Sequence, residues 1–200
     1  MTRTQVDTPS AAMHAALSIL DAEHRGYATV LRALSRHLET VRSRPAATNH
    51  DLLATILAYA DSFMERFHHP KEDEFLFRAL RSRTDEADAA LLELQHEHAT
   101  GPAMLRSLRD SLDRSRGGSR DDLDAFAGNL ERYIAGQVAH MRTEGMVVLP
   151  LAKRVLEASD WESIERAFRG HTDPFFGAGP LGRSGSLFSP RFGSAPLGEA

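Results

Sequence analysis

Cysteine is absent from this chain. That excludes disulfides, thiol redox chemistry, thiolate zinc sites and iron–sulfur clusters together, and it leaves the compartment weakly constrained. No apolar run approaches the roughly 18 residues needed to span a bilayer. The first dozen residues lack the apolar core of a secretory signal. The expectation is a cytoplasmic protein with no membrane partner. No block of Lys or Arg stands out and the formal net charge is only -4, so nucleic acid is not an expected partner either. What the chain does have is histidine. Ten in 200 residues are roughly twice an average soluble share, which favours metal or proton chemistry. The length fits one domain, or a domain with a tail, and is enough to bury a sizeable core.

Helical periodicity dominates. From about Ser10 to Ser43, the residues Leu17, Leu20, His24, Tyr27, Leu31, Leu34 and Leu38 alternate three and four apart, the pattern of a bundle seam. Pro45 breaks this run, and Thr48 or Asn49 can cap a second helix reaching Arg81, with Leu53, Leu57, Ala60, Met64, His68, Glu72, Leu76 and Leu80 on one flank. Thr84 offers the next N-cap, with Asp85 and Glu86 in the first turn. The third seam is Leu91, Leu94, His98, Gly101, Leu105, Leu108 and Leu112. After a turn at Gly117-Gly118, Ser119 caps a fourth helix with Leu123, Phe126, Leu130, Tyr133, Gln137, His140, Glu144, Val147 and Leu151 on its seam. Ser159 and Glu162 form a capping box ahead of a short fifth helix. From Gly170 onward the chain is rich in Gly, Pro, Ser and Phe without period. The expected architecture is all-α. It is an up-down-up-down four-helix bundle with a short fifth helix over residues 12–169, a flexible N-terminus over 1–11 and an irregular tail over 170–200. Pro70, Pro102 and Pro150 fall inside three of the helices, where each removes a backbone hydrogen bond and favours a kink.

Two pairs carry the chemistry. His68 and Glu72, and His140 and Glu144, are each four residues apart, so each pair projects from one face of its helix. His24 and His98 are lone histidines at positions that Leu fills elsewhere along their seams. The levels match. His24 lies about 22 residues before the first turn and His68 about 22 after it. Glu72 is about 12 before the second turn and His98 about 14 after, while His98 is about 20 before the third and His140 about 22 after. All six residues therefore fall near one layer of the bundle. Two buried carboxylates among four imidazoles demand a counter-charge, and a metal pair supplies it. His69, in line with Glu65 and Asp73, reads as a polar-flank residue. His96 points away from His98, and His14, His37, His50 and His171 read as end or surface residues. Tyr27 and Tyr133 read as core aromatics, and Gln137 as a residue supporting the ligands.

Mixed imidazole and carboxylate ligands suit iron, manganese or zinc. The ferritin-like diiron pattern, Glu-x-x-His on two helices, occurs at Glu65/His68 and Glu93/His96, but both glutamates point off the seam and Gln137 stands where a fourth-helix Glu is required. The order His-x-x-x-Glu fits better. At Asp21-Ala-Glu-His24, Phe67-His-His-Pro-Lys-Glu-Asp-Glu-Phe-Leu-Phe77, Glu97-His98-Ala-Thr-Gly101 and His140-Met-Arg-Thr-Glu144, the chain resembles the haemerythrin-like (HHE cation-binding) family. Asp160-Trp161-Glu and Asp173-Pro-Phe-Phe-Gly177 extend the likeness across most of residues 12–177. The resemblance implies two non-haem irons, oxo- or hydroxo-bridged, with His24 and His68 on one, His98 and His140 on the other, and Glu72 and Glu144 between them. Oxygen carriers of the family place two histidines one turn apart on the third helix. Here those neighbours of His98 are Leu94 and Pro102, so one ligand of that set is missing unless His96 or a tyrosine moves in. Open coordination positions suit reaction with oxygen, peroxide or nitric oxide more than reversible carriage. Gly145 stands where members often carry a second acidic residue, and the N-terminal cysteines of relatives linked to iron–sulfur repair are absent.

The expected function is a diiron-binding protein that binds or responds to oxygen, nitric oxide, peroxide or iron. A diiron oxidoreductase, degrading peroxide or reducing nitric oxide, is the alternative from a different class, and a metal-free helical scaffold is the third. The expected partner is a small diatomic ligand or peroxide.

Overall fold

A computed structural model describes residues 10–176. The rest of the expected N-terminal segment and the tail from 177 lie outside the described residues. The described residues are all-α, with no strand among them. Helix α1 spans Ala11–Ser43, and the Ser10 hydroxyl accepts from the Met13 N–H at 3.1 Å. Helix α2 covers residues 50–83, and Asn49 rather than Thr48 caps it, accepting from Leu52 N–H at 3.0 Å. Helix α3 spans Asp88–Ser115, α4 covers 120–155, and α5 spans Ala158–Arg169. The chain turns between α3 and α4 at Gly118, whose φ of 74° is a left-handed conformation that suits glycine. Neighbours pack in the order α1–α2–α3–α4–α1, and α5 lies against α1, as in an antiparallel four-helix bundle with an added helix.

Three caps differ from expectation. Thr84 does not cap α3: its hydroxyl accepts from Glu86 N–H at 3.2 Å in a local turn, and α3 begins only at Asp88, behind an Ala87 cap without a side-chain acceptor. Ser119 stands at the cap position of α4 but makes no capping hydrogen bond. The capping box of α5 is Glu157 and Asp160, not Ser159 and Glu162, with Asp160 accepting from Glu157 N–H at 2.9 Å. Arg83 at the end of α2 reaches both carboxylates of this box, at 2.6 Å and 3.0 Å, so acidic side chains were needed there.

Two apolar clusters fill the bundle. One gathers Tyr27, Leu34, Leu57, Phe63, Leu105, Leu112, Phe126, Leu130 and Tyr133. The other gathers Leu20, Leu76, Phe77, Leu91, Leu94, Val148, Trp161, Ile164 and Phe168. Between them lies a polar layer of buried Glu and His. The whole expected seam of α3, from Leu91 to Leu112, is buried, and so is the whole expected flank of α2, from Leu53 to Leu80.

The helices change winding at that layer. Helix α2 is π-helical over Ala60–His68 and Glu72–Phe77, and α4 over Glu144–Val148. His69 N–H bonds to Met64 O, and Leu149 N–H to Glu144 O, five residues back in each case. The first and last of these segments stop two residues before a proline, Pro70 or Pro150, and widening moves carbonyls out of the path of the proline ring. Pro102, by contrast, sits inside an otherwise regular α3. The wide turns also shift register. Val148 is fully buried and Val147 is exposed, the reverse of the expected seam, because a π-turn takes up one extra residue.

Candidate metal centre

The polar layer brings together all six residues expected there. His24 Nε2 lies 3.1 Å from His68 Nε2, and His98 Nε2 lies 3.2 Å from His140 Nε2. The two glutamates stand between these imidazole pairs. Glu72 presents Oε1 to His68 at 3.2 Å and to His24 at 3.6 Å, while its Oε2 faces His98 at 3.7 Å. Glu144 presents Oε2 to His24 at 3.3 Å and Oε1 to His140 at 3.3 Å. Each carboxylate thus has one oxygen on each side of the layer.

Burial makes this arrangement expensive without a cation. Glu72 is 1% and Glu144 2% exposed, yet Glu72 Oε2 and both oxygens of Glu144 have no partner in hydrogen-bond geometry despite the nearby imidazoles. Buried carboxylates at that exposure cost several kcal/mol unless compensated. In the metal-free protein the compensation is protonic. Burial works against charge on His68, but Glu72 and Glu23 raise its pKa well above the ordinary histidine range. Burial likewise opposes charge on His140, and Glu144 outweighs it, lifting the imidazole to about 9. Burial raises Glu72, and His68 and His24 overcome it to hold the carboxyl well below its usual range. A cation in the layer would take over from those protons, so the residues fit a metal.

Behind the layer stands a ring of carboxylates that sequence reasoning did not assign. His68 Nδ1 is 2.7 Å from Glu23 Oε2, His98 Nδ1 is 3.0 Å from Asp73 Oδ1, and His140 Nδ1 is 2.7 Å from Glu97 Oε2. An acceptor on Nδ1 fixes the tautomer that leaves Nε2 free to ligate. There was a signal to find. Glu23, Asp73 and Glu97 each adjoin an expected ligand in sequence, His24, Glu72 and His98, and each serves a ligand on a neighbouring helix.

Three sequence readings need correcting. His69 is no polar-flank residue: it is 3% exposed, and its ring stacks on His98 with centroids 4.3 Å apart. Glu65 turns inward with it, 8% exposed, and burial lifts its carboxyl to about 7. The wide turn of α2 rotates both toward the layer. Glu65 fits because residue 101 is glycine: a Cβ there would collide with Glu65 Oε2 and come within 2.8 Å of Cδ. His171 is not a surface residue, since its Nε2 lies 2.9 Å from Glu23 Oε1. His96 is exposed and does not move in. Gln137 is buried with its Oε1 unpartnered, and Tyr27 and Tyr133 are buried and hydrogen-bonded to each other through their hydroxyls.

Two groups of ligand atoms, each mutually within 4.8 Å, emerge: His24, His68 and Glu72, and His69, Glu72, His98 and His140. They share Glu72. The family described as Hemerythrin HHE cation binding domain matches residues 15–152. The chain belongs to that family. The matched span runs from the second turn of α1 to the last turn of α4 and contains every residue of both groups. No curated protein and no solved structure matches the chain. Membership in the haemerythrin-like family makes this a cation-binding domain, and the buried His/Glu layer supplies its candidate ligands. Among the described residues, no helix is long and apolar enough to cross a membrane.

Proposed function

We propose that this haemerythrin-like domain holds two iron ions and binds or responds to a small ligand: oxygen, nitric oxide or peroxide. In this reading His24 and His68 hold one iron, His98 and His140 hold the other, and Glu72 and Glu144 span the two. The observation that carries it is the two-sidedness of the glutamates, each with one oxygen toward each histidine pair. A single-ion site would need only one such face. Imidazole with carboxylate suits iron, and also manganese or zinc.

Such irons would supply Lewis acidity and redox electrons to the small ligand. The chain's own residues do the rest. Glu23, Asp73 and Glu97 hold the imidazoles in the ligating tautomer. The apolar clusters on either side of the layer keep water away from it.

The test is metal content by mass spectrometry on protein expressed with iron, paired with its near-ultraviolet absorption. Two irons per chain with charge-transfer bands, both reduced in His98→Ala, support the reading. A metal-free protein, or one holding a single exchangeable ion, sinks it. Turnover of peroxide or nitric oxide that disappears in Glu144→Ala would move the assignment to a diiron oxidoreductase.

A further inference from the structure

We infer that His69 is itself a metal ligand, the third imidazole on the His98/His140 side of the layer. This rests on the dinuclear reading above and adds to it a residue outside the six. Four observations carry the inference.

First, a ligating atom of His69 lies within 4.8 Å of those of Glu72, His98 and His140. Second, its Nε2 is buried and has no hydrogen-bond partner. A core histidine with a purely structural role would satisfy that nitrogen with protein or present it to solvent, because a buried unpaired polar atom is costly. Third, His69 Nδ1 faces a carboxylate, Glu65 Oε2, at 3.4 Å. That repeats the arrangement at His68, His98 and His140, where a carboxylate behind Nδ1 leaves Nε2 for the layer. Fourth, the local backbone is built to bring His69 in. On a regular α-helix His68 and His69 would diverge by about 100°. The π-turn over Ala60–His68 lets consecutive residues face the same layer, and Gly101 on α3 vacates the volume that Glu65 needs.

The geometry also accounts for what α3 lacks. One turn to either side of His98 stand Leu94 and Pro102, and neither can ligate. The third nitrogen on this side comes instead from α2, next to a ligand of the other side. One wide helical turn thereby serves both halves of the site.

The test uses full-length protein titrated with ferrous iron without oxygen, and counts the paramagnetically shifted, exchangeable imidazole N–H signals by proton NMR. Five such signals in the wild-type chain are expected. Four, assignable to His24, His68, His98 and His140, would overturn the inference without touching the two-iron reading. His69→Gln should remove one signal and weaken the second iron to bind by about tenfold or more. An unchanged signal set and unchanged affinity in that variant would equally overturn it. If the variant fails to fold, the wild-type count decides alone. A wild-type chain that takes up fewer than two irons overturns the dinuclear reading, and the inference with it.

Discussion

The two sides of the histidine layer are built differently. On one side His24 retains 14% side-chain exposure, and His68 is held by Glu23, which also reaches His171 beyond the end of α5. That His171 begins a docked strap: Asp173 accepts from the Tyr59 hydroxyl at 2.8 Å, and Phe175 stacks on Tyr59 at 4.3 Å. On the other side His98 and His140 are 5% and 3% exposed, and their partners Asp73 and Glu97 come from α2 and α3. His69 stacks on His98, and Glu65 stands at its Nδ1. One side therefore depends on the last docked segment and is the wetter of the two, whereas the other is dry and fixed by the helices themselves. An exogenous ligand and the protein's own motions meet these sides unequally, because openness and dependence on a docked segment coincide on the first.

Glu72 belongs to both sides, so its removal should have the largest effect. Glu72→Ala is expected to take metal content from two per chain to near zero, whereas a ligand confined to one side, such as His24, should leave one ion bound. Mass spectrometry of the two purified variants checks this. Equal losses in both would mean that the sides do not load independently.

Proton competition should come next in size. Ligands must be deprotonated to bind. In the metal-free protein the carboxylates keep His140 protonated up to about 9 and hold His68 well above the ordinary histidine range. Metal binding must expel those protons, so affinity should rise with pH. The expected slope between pH 6.5 and 9 is about tenfold per pH unit for each proton displaced. Competition against a chelator across this range gives the slope. A flat profile would show that the imidazoles are already neutral before metal arrives.

Much of this was legible in the sequence. The periodicity of α1 and α3 and the matched levels of His24, His68, His98 and His140 follow from a regular rise per residue. Those expectations agree with the buried α3 seam, with an α1 seam buried except at half-buried Leu17 and His24, and with the Nε2 separations. What was not legible depends on departures from regular winding. A 3.6-residue period puts His69 and Glu65 on a polar flank and Val147 on the seam, and only the π-turns before Pro70 and Pro150 reverse those placements. The prolines were visible; that they would be met by widening rather than a kink was not. The docking of His171 and Asp173 was hidden for a different reason. An aperiodic segment gives no register from which a contact can be read.

Gly101→Ala probes the dry side through its packing. The added methyl displaces the Glu65 carboxylate, so overpacking should cost about 1–3 kcal/mol in stability. Loosening the group behind His69 should also weaken one iron by about tenfold and leave the other unchanged. Thermal denaturation and iron titration of the variant read the two effects separately. A variant that loses stability but keeps both affinities would assign Glu65 to packing alone.

The smallest effect is expected on the wetter side, from Asp173→Ala. This carboxylate accepts from the Tyr59 hydroxyl and from the N–H groups of Phe175 and Phe176, at 2.8, 2.7 and 3.0 Å. Its loss leaves a buried hydroxyl unpartnered and should destabilise the strap by about 1–3 kcal/mol. His171 is two residues away, and its hold on Glu23 should relax with the strap. The iron next to His24 and His68 should then weaken by less than about tenfold, because Glu23 keeps His68 in place from α1 and acts on the metal only through it. The iron on the His98 side, whose supporting carboxylates stand on α2 and α3, should not change. Hydrogen exchange at Phe175 and Phe176 locates the loosening, and iron titration shows which side feels it. Equal weakening of both irons would mean that the strap stabilises the bundle as a whole, and the contrast between a strap-dependent side and a helix-built side would fall.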